Sequence, residues 1–312
     1  MVSVVITTYN RFEQCQYAIT SVINQTYTPT EIIVIEDNSD SGIKDWLKKK
    51  YPNIKYQRNK ENVGLAASRN VGVKIACSDW VAFLDDDDIW LPNRLEEQVK
   101  VIKSLSNVEL DKVACIQVGT KQTHYNDKTV IYNLPRNNGH LITSIKKFGL
   151  STPSSSFLFN KKILENVGLF DTDLKSGIDH DIWMKIATND YHTRAILKPL
   201  VKVNSSSRNN MMSDTYNRID GLSKFIHKWE DSFIRIYGQE YAKEKIKDYY
   251  LDVIGRLAGE KLYNRKYNEF MYCTKNLISK RISYIKIIKK IVKVVTFNVS
   301  PEYYIKISTY RS

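Results

Sequence analysis

The sequence has few cysteines and no long apolar run, and both absences exclude classes of protein. Its four cysteines show neither a CxxC pair nor metal-ligand spacing, which argues against a disulfide framework or a structural zinc site and indicates reduced, mostly buried thiols. No eighteen consecutive residues are apolar, and no basic stretch leads into an apolar one at the N-terminus. We therefore expect neither a membrane-spanning helix nor a secretory signal.

Acidic residues are in the minority. The 312 residues contain 47 Lys and Arg against 34 Asp and Glu, a net charge of +13, which predicts an anionic partner such as nucleic acid, a phosphate-bearing ligand or a membrane surface. The excess is local, because residues 273–312 hold nine basic residues and one acidic residue. The hydrophobic fraction of 42% is ordinary for a globular protein.

The first half alternates strand and helix patterns. The predicted strands are Val2–Thr7, Glu31–Ile35, Ile54–Arg58 and Trp80–Leu84, and the predicted helices are Phe12–Asn24, Gly42–Lys50, Gly64–Cys77 and Pro92–Leu105. This alternation predicts an α/β fold with a mainly parallel sheet and helices on both faces, and places a ligand crevice at the carboxyl ends of the strands. A polar stretch at 204–210 predicts a boundary between a domain at 1–205 and a helical region at 206–312.

Four consecutive aspartates, Asp85–Asp88, close the fourth predicted strand. Adjacent carboxylates repel each other, so the run needs either full solvation or a bound cation. Its place at a strand end favours a divalent cation that neutralises a diphosphate, because two carboxylates, phosphate oxygens and waters suit Mg²⁺ or Mn²⁺.

Five ordered motifs resemble the family 2 glycosyltransferases, which have the Rossmann-like GT-A fold. They are SVVITTYNR (3–11), EIIVIEDNSD (31–40), ENVGLAASRNVG (61–72), FLDDDDIWLPNR (83–94) and GLFDTDL (168–174). The resemblance covers about residues 1–200. It implies transfer of a sugar from a nucleotide diphosphate sugar, usually a UDP-sugar, to an acceptor hydroxyl with inversion.

The resemblance also implies where the donor nucleotide binds. Thr8, Tyr9 and Arg11 match the first nucleotide-binding loop. Asp37 matches the aspartate that accepts a hydrogen bond from the uracil ring nitrogen.

The third motif contributes Gly64, Arg69 and Asn70. The Arg69 guanidinium can contact base or diphosphate, although a surface helix cation is the alternative. Gly64 either lets the backbone approach the ligand closely or simply forms the turn into a helix.

Within the aspartate run, the resemblance places Asp85 and Asp86 against the nucleotide sugar and assigns the metal, Mn²⁺ or Mg²⁺, to Asp87 and Asp85. Because every position is aspartate, the register can also slip by one, to Asp86 and Asp88.

An inverting transfer needs a base for the acceptor hydroxyl. In GIDHDIW (177–183) the family's base matches Asp179, although Ile178 stands where the family often has glutamate. Asp179 and Asp181 also suit the first turn of a helix as plain N-terminal charges.

A basic amphipathic helix is predicted at about 277–297. Its apolar positions recur at three- and four-residue steps, and they are Ile278, Ile282, Ile285, Ile288, Val292 and Val295. Such a helix lies in an anionic membrane interface or packs on the rest of the protein, and the sequence leaves both open.

The combined expectation is a metal-dependent, non-processive enzyme, since neither a QxxRW element nor membrane spans occur. We expect a saccharide acceptor linked to polyprenyl diphosphate, a role in bacterial O-antigen or capsule synthesis, and a place on the cytoplasmic face of the inner membrane. The alternatives are an inactive sugar-nucleotide-binding module and a basic nucleic-acid-binding protein. The sequence lacks the signatures of RNA- and DNA-binding folds, so no nucleic acid partner is expected.

Overall fold

The structure is a computed structural model of the chain and describes residues 1–123, 130–150, 154–204 and 214–299. The chain divides into two compact units, Met1–Ser207 and Arg208–Ser312. The boundary predicted near residue 205 lies outside the described residues.

The first unit is built around one mixed sheet. Its strands are β1 (Val2–Thr8), β2 (Glu31–Glu36), β3 (Lys55–Arg58), β4 (Trp80–Asp85), β5 (Ile89–Trp90), β6 (Val113–Thr123), β7 (Val130–Asn133), β8 (Gly139–His140), β9 (Phe157–Asn160) and β10 (His192–Val203). Its helices are α1 (Phe12–Ile23), α2 (Ile43–Lys50), α3 (Gly64–Ile75), α4 (Arg94–Ser104), α5 (Asn107–Leu110), α6 (Leu141–Phe148), α7 (Lys161–Asn166) and α8 (Ile178–Thr188), with a 3₁₀ turn at Ser154–Ser156.

The strand order is β3-β2-β1-β4-β9-β6-β10-β5, with β7 beside β6 and β8 beside β10. The block β3-β2-β1-β4 is parallel throughout, as the alternation predicts. β9 then runs antiparallel to both β4 and β6. The strand and helix alternation stops after α4, so it carries no information on the direction of β9.

Helices cover both faces of β1, whose seven residues are all buried. Val4 and Ile6 pack in a core cluster with Ile19 of α1. Val5 points to the opposite face, as the two-residue period of a strand requires. There a Cβ added to Gly72 of α3 would lie 2.3 Å from Val5 Cγ1, so the helix rests on the strand through a glycine.

The second unit is helical. It consists of α9 (Thr215–Tyr237), α10 (Gln239–Tyr263), α11 (Tyr267–Ser279) and α12 (Tyr284–Val299). α10 contacts each of the other three helices. Within the described ranges, no helix combines the length and the apolar character that crossing a bilayer requires.

Candidate active site

The carboxyl ends of three parallel strands meet at one edge of the sheet. Thr8 at the end of β1 pairs with Glu36 at the end of β2, and Thr7 pairs with Asp85 at the end of β4. The register therefore brings Thr8, the loop that starts at Asp37 and the aspartate run close together.

The four aspartates of the run have different surroundings. The side chains of Asp85 and Asp87 are 31% and 13% exposed, whereas Asp86 and Asp88 are buried. Asp88 Oδ1 accepts a hydrogen bond of 3.1 Å from the backbone N–H of Asn204. Burial and the neighbouring charge of Asp85 raise the pKa of Asp88. The more accessible pair is thus Asp85 and Asp87.

Arg11 neutralises the middle of the run. Its Nη1 donates to Asp86 Oδ1 at 2.8 Å and to Asp87 Oδ2 at 2.9 Å. The Thr8 hydroxyl donates to Asp86 Oδ2 at 2.8 Å. Burial raises the pKa of Asp86 to about 6, although Arg11 and Thr8 act to lower it. Tyr9, on the same loop, is half exposed. Ion pairing, which the sequence interpretation did not consider, therefore relieves part of the repulsion in the run.

Asp37 is buried and holds the start of α3. Its Oδ1 accepts hydrogen bonds of 2.9 Å from Asn59 Nδ2 and from the backbone N–H of Val63. Its Oδ2 accepts one of 2.8 Å from the backbone N–H of Gly64, whose φ of +82° suits glycine. These contacts use three of the roughly four acceptor positions of a carboxylate. One position on Oδ2 is left for a ligand N–H.

Arg69 lies at the centre of the site, with a side chain 1% exposed. Its Nη1 donates to Asp179 Oδ1 at 3.0 Å, and its Nη2 donates to Asp85 Oδ1 at 2.6 Å. The rings of Phe83 and Phe170 lie 5.7 and 5.4 Å from the guanidinium carbon. The alternative of a surface helix cation is wrong, because the structure encloses this side chain.

Asn70 points to a different neighbour. Its Nδ2 donates to the backbone carbonyl of Phe170 at 2.8 Å, and its Oδ1 accepts from the backbone N–H of Phe170 at 3.0 Å. The amide thus anchors the segment before α8 and is not brought together with the strand-end residues.

Asp179 lies in the first turn of α8, whose N-cap is Gly177. Its carboxylate is 24% exposed and pairs with Arg69. Burial raises the pKa of Asp179, as does the charge of Asp85, while Arg69 and Ser154 oppose the increase. A partly exposed carboxylate with a raised pKa is suited to accept a proton.

Two serines of the 3₁₀ turn complete the site. Ser154 Oγ accepts from Arg69 Nη2 at 2.6 Å and donates to Asp85 Oδ2 at 3.2 Å. Ser155 Oγ accepts from the backbone N–H of Asp85 at 3.1 Å. From the sequence, the stretch 151–156 suits either the wall of an acceptor pocket or an ordinary loop, and neither interpretation predicted the contacts of these two serines with Arg69 and Asp85.

The chemistry of the aspartates fits a divalent cation, although the ligand set is incomplete in the protein itself. Within the described ranges, no three His, Cys, Asp or Glu side chains are arranged around a metal position. Asp85 and Asp87 would supply hard oxygen ligands to such a cation, and a diphosphate with waters would complete the shell of Mg²⁺ or Mn²⁺.

Comparisons with known proteins agree with this arrangement. The family model "Glycosyl transferase family 2" matches residues 3–168. An uncharacterized glycosyltransferase of Methanocaldococcus jannaschii is 31% identical over 229 residues, which cover 68% of this chain and 73% of that protein. One from Rickettsia bellii is 28% identical over 254 residues, 77% of this chain but 36% of that protein, so the chain spans about a third of this longer relative.

Solved structures share the fold at low sequence identity. The crystal structure of S. aureus TarS 1-349 in complex with UDP-GlcNAc has a TM-score of 0.64 and 18% identity, over 97% of this chain and 93% of that one. Mannosyltransferase PcManGT from Pyrobaculum calidifontis, in complex with GDP-Man and Mn²⁺, has a TM-score of 0.59 and 16% identity. The match covers 96% of this chain and 87% of that one. The mixed sheet flanked by helices is the expected GT-A fold. The chain belongs to glycosyl transferase family 2 and is a glycosyltransferase.

Proposed function

We propose that the enzyme transfers a sugar from a nucleotide diphosphate sugar, a UDP-sugar in the first place, to a hydroxyl of a saccharide acceptor with inversion. The observation that carries the proposal is the contact of Arg69 with both Asp85 and Asp179. It joins the donor end of the sheet to a carboxylate that can act as base. The nucleotide sugars bound by TarS and by the mannosyltransferase support this donor class.

The donor nucleotide binds at the edge of the sheet formed by Thr8, Tyr9 and Arg11. The uracil ring N–H donates to the acceptor position that Asp37 keeps on Oδ2, next to Gly64. The half-exposed ring of Tyr9 offers a flat apolar surface to the base or ribose.

Asp87, with Asp85, holds the divalent cation, Mn²⁺ or Mg²⁺. When bound, this cation stabilises the negative charge of the diphosphate leaving group. Arg11 neutralises Asp87 in the structure and therefore competes with the cation for that carboxylate. Asp86, which is buried between Thr8 and Arg11, keeps the loop in place beside the nucleotide sugar.

Asp179 takes the proton of the acceptor hydroxyl as that oxygen attacks the anomeric carbon. An inverting reaction requires attack from the side opposite the leaving group. Arg69 fixes the orientation of Asp179, since the same guanidinium is anchored to Asp85.

The acceptor is a saccharide linked to polyprenyl diphosphate, in the synthesis of bacterial O-antigen or capsule. The enzyme works without processivity as a peripheral protein on the cytoplasmic face of the inner membrane. The basic excess in residues 273–312 supports an anionic membrane as partner, and we propose no nucleic acid partner.

A panel of UDP- and GDP-sugars, each with Mn²⁺, Mg²⁺ or EDTA, tests the proposal. We expect one donor to be hydrolysed slowly without acceptor and to raise the melting temperature, both only with metal. Nucleotide binding without turnover of any donor or transfer to any acceptor would instead identify a sugar-nucleotide-binding module. Salt-dependent binding to DNA or RNA without nucleotide-sugar binding would identify a nucleic-acid-binding protein.

A further inference from the structure

α12 has two apolar faces, and one of them packs on α10. Ile287 and Ile291 are buried on this inner face. Opposite them, α10 presents Gly255 and Gly259, and a Cβ added to Gly259 would lie 2.5 Å from Val294 Cβ. The close approach of the two helices shows that the inner face already has its partner.

The outer face of α12, which we define as Tyr284, Ile285, Ile288 and Val292, is open. The last three are 65%, 59% and 56% exposed, and Tyr284 is 65% exposed. Steps of three and four residues place them along one side of the helix. Ile285, Ile288 and Val292 belong to the apolar stripe predicted from the sequence, whereas Ile282 of that stripe is buried. One apolar face of α12 is therefore packed on α10, and the other is exposed.

The lysines of α12 have different surroundings on its two sides. Lys290 Nζ contacts Asp252 of α10 at 2.5 Å, and Lys286 lies 3.9 Å from Asp248. Lys289 and Lys293 are exposed and border the outer face on the helical wheel. From residue 270 to residue 299 the sequence has no acidic residue, so every charged side chain of α12 is a lysine.

We propose that the outer face of α12 docks on an anionic lipid bilayer, with Lys289 and Lys293 against the headgroups. This inference rests on the proposed function and specifies the surface through which the enzyme contacts the membrane. Isoleucine and valine side chains enter the boundary of the acyl chains, and the lysines meet negative charge there. A second copy of α12 carries the same lysines and no acid, so it offers no charge complement.

Flotation of the full-length protein with vesicles tests the inference. One vesicle type is phosphatidylcholine, and the other is an equal mixture of phosphatidylcholine and phosphatidylglycerol. We expect binding to the anionic vesicles only, weakening as salt rises. Ile288→Glu should weaken it at least tenfold, and Lys289→Glu together with Lys293→Glu should do the same. Tyr17→Glu, at an exposed aromatic position of α1, is the matched control and should bind like the parent.

Equal flotation of Ile288→Glu and the parent protein would overturn the inference, as would a parent that binds neither vesicle. If Ile288→Glu converts a dimer to a monomer and leaves vesicle binding unchanged, the outer face of α12 contacts a second copy of the chain and not a membrane. Nucleotide-sugar turnover is measured on the same samples in detergent-free buffer. Vesicle binding without turnover of any donor counts against the proposed function and leaves the docking surface standing.

Discussion

The guanidinium of Arg69 donates a hydrogen bond of 3.0 Å to the carboxylate of Asp179, across 110 residues of chain. The same guanidinium binds Asp85 at the end of β4. One buried cation therefore fixes two carboxylates to which we assign different tasks, metal binding and proton transfer. Each carboxylate can be altered separately, which makes the assignment testable.

Asp179→Asn should abolish most turnover and preserve nucleotide binding. The amide keeps the size of the side chain and can still contact Arg69, but it cannot take up a proton. A general base contributes about a hundredfold to ten-thousandfold to the rate, so kcat should fall within that range. Calorimetry with UDP and Mn²⁺ should give an affinity close to that of the parent. Asp173→Asn, at an exposed aspartate before α8, is the control, and an unchanged kcat in Asp179→Asn would refute the base assignment.

Arg69→Met should destabilise the protein by about 3 kcal/mol, because it removes a buried cation and leaves the partly exposed Asp85 and Asp179 without their counter-charge. Asp85 and Asp179 then repel each other. Protonation of Asp179, whose pKa burial and the charge of Asp85 raise, relieves that repulsion, so the loss should be smaller at pH 5 than at pH 8. Urea denaturation at both pH values measures it. Arg58→Met, at an exposed position of β3, should cost far less at either pH, and a pH-independent loss at Arg69 would contradict the ion-pair account.

Ser154→Ala should reduce kcat more than it changes the donor KM. The hydroxyl bridges Arg69 and Asp85 and acts to lower the pKa of Asp179, so we expect it to support the base through Arg69 instead of holding the nucleotide. Loss of a hydrogen bond to charged groups corresponds to about 1.5–3 kcal/mol, or roughly a tenfold to hundredfold lower kcat if expressed in the transition state. Ser144→Ala removes a buried hydroxyl of α6 and should leave kcat unchanged. Equal losses in both variants would indicate general destabilisation.

Glu31, at the start of β2, should make stability depend on pH in acid. Its Oε1 accepts hydrogen bonds of 2.6 Å from Ser3 Oγ and from the backbone N–H of Cys77, and its Oε2 pairs with Lys55 Nζ at 2.6 Å. Burial acts to raise the pKa of Glu31, but these contacts lower it to about 2. Because the unfolded value is about 4.3, the stabilisation is complete above about pH 4.3 and declines as the pH falls towards 2.

The difference in unfolding free energy between the parent and Glu31→Gln measures this contribution. We expect about 3 kcal/mol at pH 7 and a steady decrease between about pH 4.3 and pH 2. Glu13→Gln, on the exposed side of α1, should differ little from the parent throughout. A difference for Glu31→Gln that stays constant down to pH 2.5 would rule out the linkage.

Local periodicity predicts much of the first unit. α3 begins at Gly64 as predicted, and the four early strands lie where the sequence predicts them and pair in parallel, because each strand and helix pattern depends on neighbours in sequence. The gathering of Thr8, Asp37 and Asp85 follows from the parallel register alone. The antiparallel entry of β9 depends on long-range pairing and could not be inferred from alternation.

Side-chain partners were the part that the sequence did not reveal. The direction of Asn70 towards Phe170, and the pairing of Arg11 with Asp86, depend on where distant segments pack. The sequence pattern near the C-terminus predicted one helix at about 277–297, whereas α11 ends at Ser279 and α12 begins at Tyr284. The pattern also could not distinguish the stripe with Ile288 from the stripe with Ile291. Both repeat at helical spacing, and only the packing on α10 separates them.

The contact of Gly72 with Val5 should set how closely α3 can approach β1. A Cβ at position 72 would lie 2.3 Å from Val5 Cγ1, so Gly72→Ala forces helix and strand apart and should cost about 1–3 kcal/mol despite the better helix propensity of alanine. Val5→Ala in the same chain removes the clashing methyl groups and should recover part of that loss, giving a favourable coupling energy in a double-mutant cycle. Val4→Ala, on the opposite face of β1, is the matched control and should add its own cost without recovery. If the effect of Gly72→Ala adds to that of Val5→Ala just as it adds to that of Val4→Ala, the contact of Gly72 with Val5 does not set the distance between α3 and β1.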